Sequence, residues 1–488
     1  MTIARGFRGG VTIATAADII TIRWRRDYDK HFILTADIDL SDHPMDLSRC
    51  IESFSAVFDG NGHTISNFTW ISEKGPCGLF RFIRDPNAVI KNLGLVDPNV
   101  QTTAVAAVGG LVGYLWEGTV QDCYVSGGRI AGCETVGGLV GRVRLAGKIT
   151  GCHSTAAVSG VSCLGGLVGE NGGIISNCWS VASVSGDFWG VGGLVGRNGG
   201  SLATGVEPGR IRKSYAGGTV RGDRIIGGLV GYNEYSSIVD CCSMANVIGN
   251  SVVGGLAGEQ NLASIVRAYA IGRVTGGERA GGLVGLAYVW RTRGGGSTGG
   301  SEQVDERNTV EASFWDVAAT GLSVSGGGEG RTTAQMQEIQ TYLDAGWDFV
   351  GETANGAEDI WWIDEGEDYP RLWWEPRPAV RLPVIELDAA DFDAGIAQGV
   401  VLVDFFATWC PPCRTQGPIL EEVADRLEGR ARVAKVDIDK ARSIMQRYNV
   451  TAVPTLILFR EGIEVKRFVG VTGADVLVAA VLEAVGSP

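Results

Sequence analysis

Two cysteines three positions apart, Cys410 and Cys413, are the residues of this 488-residue chain whose type and spacing point most directly to chemistry. They stand in Trp409-Cys410-Pro411-Pro412-Cys413, after the strand-like run Val400-Val401-Leu402-Val403-Asp404-Phe405-Phe406-Ala407. A helical pattern over 414–427 follows, with Ile419, Leu420, Val423 and Leu427 on one face. Thiols three apart at a strand-to-helix junction share the first helical turn, where their sulfurs can pair. The first one meets the unpaired N–H groups and the positive end of the helix dipole, which favour a thiolate. A thiolate is the form that attacks disulfides. Pro412 suits a first turn because it has no N–H to lose. The competing use of such a pair is a structural zinc site, which wants four Cys or His ligands. Residues 384–488 hold only these two cysteines and no histidine.

The flanking elements add two more residues. Asp404 lies within an apolar strand, where a carboxylate is costly unless it has a task. Val453-Pro454-Thr455 opens a later apolar run, and a proline at such a strand edge is a candidate cis peptide. With these residues, Lys435 in Val433-Ala434-Lys435-Val436-Asp437, and Gly470, the segment 384–488 resembles the thioredoxin family. The resemblance implies an α/β thioredoxin fold with Cys410 as nucleophile and Cys413 as resolving thiol. It implies that Asp404, with Lys435 nearby, is the proton acceptor for Cys413, and that Pro454 is a cis proline facing the sulfurs. Trp409, Pro411 and Pro412 complete the motif. No cofactor is implied beyond a redox-active Cys410–Cys413 disulfide. The departures from the family pattern are Pro411 where glycine is commonest, Phe406 for a frequent tryptophan, and Thr408 for an acidic residue.

At 488 residues the chain as a whole is too long for one core, so two or three domains are expected. A formal charge of -13 argues against a nucleic-acid footprint. No run of about 18 apolar residues suggests a membrane span. The first ten residues lack the apolar block of a signal peptide, which gives a cytoplasmic expectation, or an exported one if the true start lies upstream. Glycine is the anomaly, with 73 residues at roughly twice the usual share. Nine of the eleven cysteines lie between Cys50 and Cys242, an odd, scattered set that is not a disulfide framework.

The glycines fall into a repeat. Gly-Gly-Leu-Val-Gly, once with Ala for Val, starts at Gly109, Gly137, Gly165, Gly192, Gly227, Gly254 and Gly281. Midway through the units come Cys123-Tyr124-Val125, Cys152-His153-Ser154, Cys178-Trp179-Ser180, Ser214-Tyr215-Ala216, Cys242-Ser243-Met244 and Ala268-Tyr269-Ala270. One longer interval carries a turn-rich segment over 201–210, and a Gly/Ser loop follows the last repeat over 291–301. A period near 27 with short strands and glycine corners predicts a solenoid of parallel strands. Leu111, Leu139, Leu167, Leu194, Leu229, Leu256 and Leu283 should form one interior ladder, with small Cys and Ser inside and glycines at φ > 0 corners. These units resemble the GLUG repeat of bacterial surface and secreted proteins. Asp59-Gly60-Asn61-Gly62 reads as a tight turn, since the ligand series of a calcium loop is missing. Thr332 should cap a short helix, and Trp347, Trp361, Trp362, Trp373 and Trp374 should seal the last coil.

The expected organisation is an all-β parallel β-solenoid over 1–300, with an N-terminal cap to about 100 and repeats over about 105–300. A Trp-rich cap over 301–375, a linker over 376–383 and the redox domain over 384–488 follow. The expected function is a thioredoxin-like protein-disulfide reductase carried on a scaffold or targeting solenoid. Its partners would be protein disulfides and, if cytoplasmic, a thioredoxin-reductase-type flavoprotein donor. The alternative is an adhesin-like protein whose solenoid binds a protein or glycan, although no periodic row of exposed aromatics is visible in the sequence. A solenoid hydrolase is disfavoured because acidic residues do not recur at one register. A zinc peptidase is disfavoured because His31, His43, His63 and His153 form no H-E-x-x-H.

Overall fold

The computed structural model describes residues 10–22, 30–42, 51–144, 146–199, 208–288, 291–293, 302–304, 308–375, 384–427 and 431–486. The extra segment expected over 201–210, the Gly/Ser loop over 291–301 and the linker over 376–383 lie largely or wholly outside them. The chain divides into two compact units, Met1–Trp374 and Glu375–Pro488.

The first unit is a parallel β-solenoid. One sheet runs through nine strands, from Ile51–Phe54 to Val284–Ala287, and each strand pairs in parallel with its equivalent one coil away. The leucine of each repeat is fully buried. Its N–H bonds the carbonyl of the leucine in the next coil, as in Leu139 to Leu167 at 2.9 Å and Leu167 to Leu194 at 3.0 Å. One coil cannot bury this face alone, so the ladder holds only as a stack. Beside it a polar ladder begins midway. Asn171 donates to Asn198 at 2.8 Å and Asn198 to Asn233 at 2.9 Å, in the row that Ile83, Leu115 and Val143 fill in earlier coils.

The repeat glycines do a different job from the one expected. They do not sit at positive φ. They are small because neighbouring coils approach too closely for a side chain. A Cβ on Gly165 would run into the carbonyl oxygens of Val168 in its own coil and Leu194 in the next, and one on Gly166 into that of Gly193. The left-handed corners fall instead on Asp122, Gly151, Asn177, Lys213, Asp240, Arg267 and Ala312. The next residue is Cys123, Cys152, Cys178, Ser214, Cys241, Ala268 or Ser313. The thiols and hydroxyls of this row close the corner by donating to the carbonyl two residues back, at 3.2 Å for Cys152 and 2.7 Å for Ser214. Each can also accept an N–H from the preceding coil, as Cys152 does from Cys123 and Ser214 from Cys178. Cys241, not Cys242, occupies this slot.

Cys242 stands one place on, in a row that is not evident from the sequence. Tyr124, His153, Trp179 and Tyr215 are in register and half-buried on the outer surface. Their rings stack at 5.0, 4.2 and 5.9 Å with interplanar angles of 6°, 5° and 3°. Trp374 ends the stack, 5.7 Å from Tyr215. The row continues as Cys242, Tyr269 and Phe314, under a cluster that includes Tyr342, Trp347 and Trp361. The Trp-rich segment therefore covers the flank of the last coils rather than only their end. Its helix Thr333–Met336 has the expected Thr332 cap. The strands flanking Asp59–Gly62 pair with neighbouring coils and not with each other, so this turn is a coil corner rather than a hairpin. Among the described residues, no helix is long and apolar enough to cross a membrane.

The second unit is an α/β sandwich with strands β1 (Ile385–Glu386), β2 (Val400–Phe406), β3 (Arg432–Asp437), β4 (Thr455–Arg460) and β5 (Ile463–Val469), in the order β1-β3-β2-β4-β5. β1, β2 and β3 are parallel to one another, while β4 is antiparallel to β2 and β5. Helices α1 (Phe392–Ile396), α2 (Pro411–Leu427), α3 (Arg442–Arg447) and α4 (Ala474–Gly486) cover the sheet. β2 is central and buried over six of its seven residues, which explains its unbroken apolar sequence around Asp404.

Candidate active site

The two sulfurs sit where β2 gives way to α2. Cys410 and Cys413 are disulfide-bonded, with Cα atoms 5.4 Å apart. The Cys413 N–H donates to Cys410 Sγ at 3.2 Å. Once the disulfide opens, that N–H and the start of a 17-residue helix favour negative charge on Cys410. Cys410 and Cys413 are 2 % and 6 % exposed, whereas Trp409 beside them is 63 % exposed. The Trp409 indole N–H is anchored at 2.7 Å on Asp439, in the loop after β3. Pro411 and Pro412 are both exposed on the first turn of α2. The peptide bond before Pro454 is cis, and the Val453 carbonyl oxygen lies 3.6 Å from Cys410 Sγ. The structure thus gathers Cys410, Cys413, Trp409 and the Val453–Pro454 bend in one place.

Behind the sulfurs is a cleft of about 250 Å³ lined by Asp404, Ala407, Cys413, Leu420 and Lys435. Asp404 is 2 % exposed, and its Oδ1 has no hydrogen-bond partner among the described residues. Burial pushes its carboxyl up to about 7, against a smaller downward pull from Lys435. Lys435 is in register with Asp404 across β2 and β3, but it makes its ion pair with Glu386 of β1, at 3.5 Å. Its ammonium also lies 5.5 Å over the Phe406 ring. A carboxyl that titrates near neutrality in the same cleft as a thiol is suited to carry protons to and from it.

Three further residues, which no sequence motif marks, support this arrangement. Glu386 is shared by Lys435 and Lys440, whose ammonium lies 3.3 Å away. Asp439 fixes Trp409. Gln416, fully buried on α2, accepts the Thr472 N–H at 2.8 Å and donates to the Thr472 carbonyl at 3.2 Å. The adjoining Gly470 N–H bonds the Pro454 carbonyl at 2.8 Å, so Gln416 ties the dithiol helix to the loop that holds Pro454.

Residues 383–483 match the family model Thioredoxin, and residues 104–131 match that of the GLUG motif. Thioredoxin from Staphylococcus aureus is 44 % identical over 89 residues, which are 18 % of this chain and 86 % of the relative. Through its second unit, the chain belongs to the thioredoxin family. Among solved structures, a point-mutant thioredoxin from Halobacterium salinarum NRC-1 is 30 % identical and is covered over 97 % of its length by 23 % of this chain, with a TM-score of 0.21. The thioredoxin domain is a thiol–disulfide oxidoreductase built onto a GLUG-motif solenoid.

Proposed function

We propose that the protein reduces protein disulfides with the Cys410/Cys413 dithiol and that the solenoid serves as its scaffold or targeting surface. The observation that carries this reading is the Cys413 N–H aimed at Cys410 Sγ at the head of α2. In the reduced protein the Cys410 thiolate attacks one sulfur of a substrate disulfide. A mixed disulfide forms and the other substrate sulfur leaves as a thiolate, which takes up a proton. Asp404 removes the proton from Cys413, whose sulfur then attacks Cys410 Sγ and releases the second substrate thiol. Two electrons have moved to the substrate, and the enzyme is left as the Cys410–Cys413 disulfide. An electron donor, in a cytoplasmic setting a flavoprotein of the thioredoxin-reductase type, returns two electrons and restores the dithiol.

The test is a trap. Purified Cys413→Ser should retain substrate proteins through a reductant-sensitive bond to Cys410, because serine cannot displace sulfur, and Cys410→Ser should retain none. Mass spectrometry of non-reduced gel bands locates the linkage. Equal trapping by both variants would break the assignment of roles. No trapping, with no insulin reduction by the wild type, would refute the function.

A further inference from the structure

The solenoid carries a second polar site that the redox chemistry does not use. A cleft of about 380 Å³ opens between three successive coils and the Trp-rich segment. That is within the range of about 300–1,000 Å³ usual for small-molecule clefts. Its coil wall includes Lys213, Asp240 and Arg267, all at the left-handed corner, with φ of 47°, 54° and 48°. Coils away from the cleft place Asp122, Gly151, Asn177 and Ala312 at this corner, the first three of residue types that tolerate the conformation. Long cationic side chains do not relieve the strain of a left-handed corner, so their place there calls for another reason.

Most of the lining charges are paired. Arg267 grips Asp240 through two bonds of 2.6 and 2.9 Å, and Lys213 meets Glu358 at 2.8 Å. Two groups lack a full set of hydrogen-bond partners, although Asp348 feels the charge of Arg267 and Arg212 that of Glu358. Asp348 is 5 % exposed; its Oδ2 accepts the Glu358 N–H at 2.8 Å, while its Oδ1 has no partner among the described residues. Arg212 is exposed at the rim, and its guanidinium makes no hydrogen bond or ion pair among the described residues. A buried carboxylate oxygen without a donor is expensive, and a free guanidinium fork matches a carboxylate.

We propose that this cleft binds a small zwitterion of the amino-acid type, with its ammonium on Asp348 and its carboxylate on Arg212. The lining sets Arg212, Lys213 and Arg267 against Asp240, Asp348 and Glu358. That balance suits a ligand of no net charge, and among the described residues no group of three His, Cys, Asp or Glu side chains is placed to hold a metal ion. An ammonium satisfies a buried carboxylate better than a hydroxyl does, because both partners of the bond are charged.

The test uses the full chain in isothermal titration with glycine, L-alanine, L-glutamate and L-lysine. Propionate and methylammonium serve as single-charge probes, and galacturonate as a hydroxylated acid. At least one amino acid should bind saturably, roughly tenfold more tightly than either single-charge probe, and Arg212→Ala should weaken it by about tenfold. Asp348→Asn should do the same. If burial makes that variant unfold, the exposed Arg212 and the single-charge probes still decide the matter. Insulin reduction should be unchanged in Arg212→Ala, which separates this site from the redox function. No amino acid binding below about 10 mM, equal binding by propionate, or wild-type affinity in Arg212→Ala would overturn the assignment. Preference for galacturonate would overturn it as well.

Discussion

Replacing Asp404 with asparagine should stabilise the thioredoxin domain increasingly as the pH rises. The Asp404 carboxyl is raised from 3.8 to about 7 by burial, so the folded domain keeps this proton over a range in which the unfolded chain has released it. The stability this group contributes is therefore complete below pH 3.8, falls as pH rises toward about 7, and is level above that. At about 1.4 kcal/mol per pH unit, the ceiling on the loss is on the order of 4 kcal/mol. Asparagine keeps the shape and cannot ionise, so the variant escapes the loss. Its advantage over wild type should widen by roughly 2–3 kcal/mol between pH 5 and pH 8.5. Groups that titrate alike in both proteins cancel from the difference.

The assay is urea unfolding of oxidised 376–488 at both pH values, followed by the fluorescence of Trp409, the single tryptophan of that segment. Disulfide reduction by the same variant should fall by roughly two orders of magnitude if Asp404 is the proton acceptor proposed for Cys413. A stability difference that does not change with pH would refute the electrostatic reasoning. A variant that is less stable yet fully active would make Asp404 a structural residue.

Residues 376–488 alone should fold and reduce a small disulfide at a rate similar to that of the whole chain; a folded but inactive fragment would show that the solenoid takes part in the chemistry. Gln416→Leu leaves the Thr472 N–H and carbonyl without partners, at a cost of about 1–3 kcal/mol. It should speed amide exchange at Thr472 and Gly470 and raise KM for a protein disulfide more than it lowers kcat; unchanged exchange would remove Gln416 from this role. Gly166→Ala forces a methyl group into the carbonyl of Gly193 and the hydroxyl of Ser180. It should cost at least about 2 kcal/mol in solenoid melting, whereas Gly346→Ala, with open space but φ of 77°, should cost about 1 kcal/mol.

What can be read from the sequence is whatever keeps one identity at a fixed spacing. The leucine ladder recurs as leucine, and the dithiol motif is contiguous, so both stand out. The stacked row of Tyr124, His153, Trp179 and Tyr215 does not, because three different residue types fill one slot beside a more regular row of cysteines. The left-handed corners at Lys213 and Arg267 are hidden because local rules reserve that conformation for glycine, asparagine and aspartate. The repeat glycines look like corners for the same reason, yet the closeness of adjacent backbones is what requires them. Gln416 and Asp439 reach partners 56 and 30 residues away, contacts that no local pattern announces.

The same rows bear on how one chain can hold a reactive dithiol and many other thiols. Sheet stacking puts Cys123, Cys152, Cys178 and Cys241 in the interior, with no measurable exposure. Their hydrogens are already committed to carbonyls two residues back. Burial pushes the thiol of Cys77 up to about 11 and that of Cys163 to about 12, and raises Cys241 further. At neutral pH a thiol at 11 is ionised about once in ten thousand molecules, and only the thiolate exchanges. Among the described residues, Cys133 is the one free thiol that is not buried. The stacked aromatics are closed to ligands by similar geometry. Each ring covers the face of the next, Tyr124 lies over Gly94, and Trp374 covers Tyr215. A sugar needs an open ring face, so this row holds coils in register and offers no glycan platform.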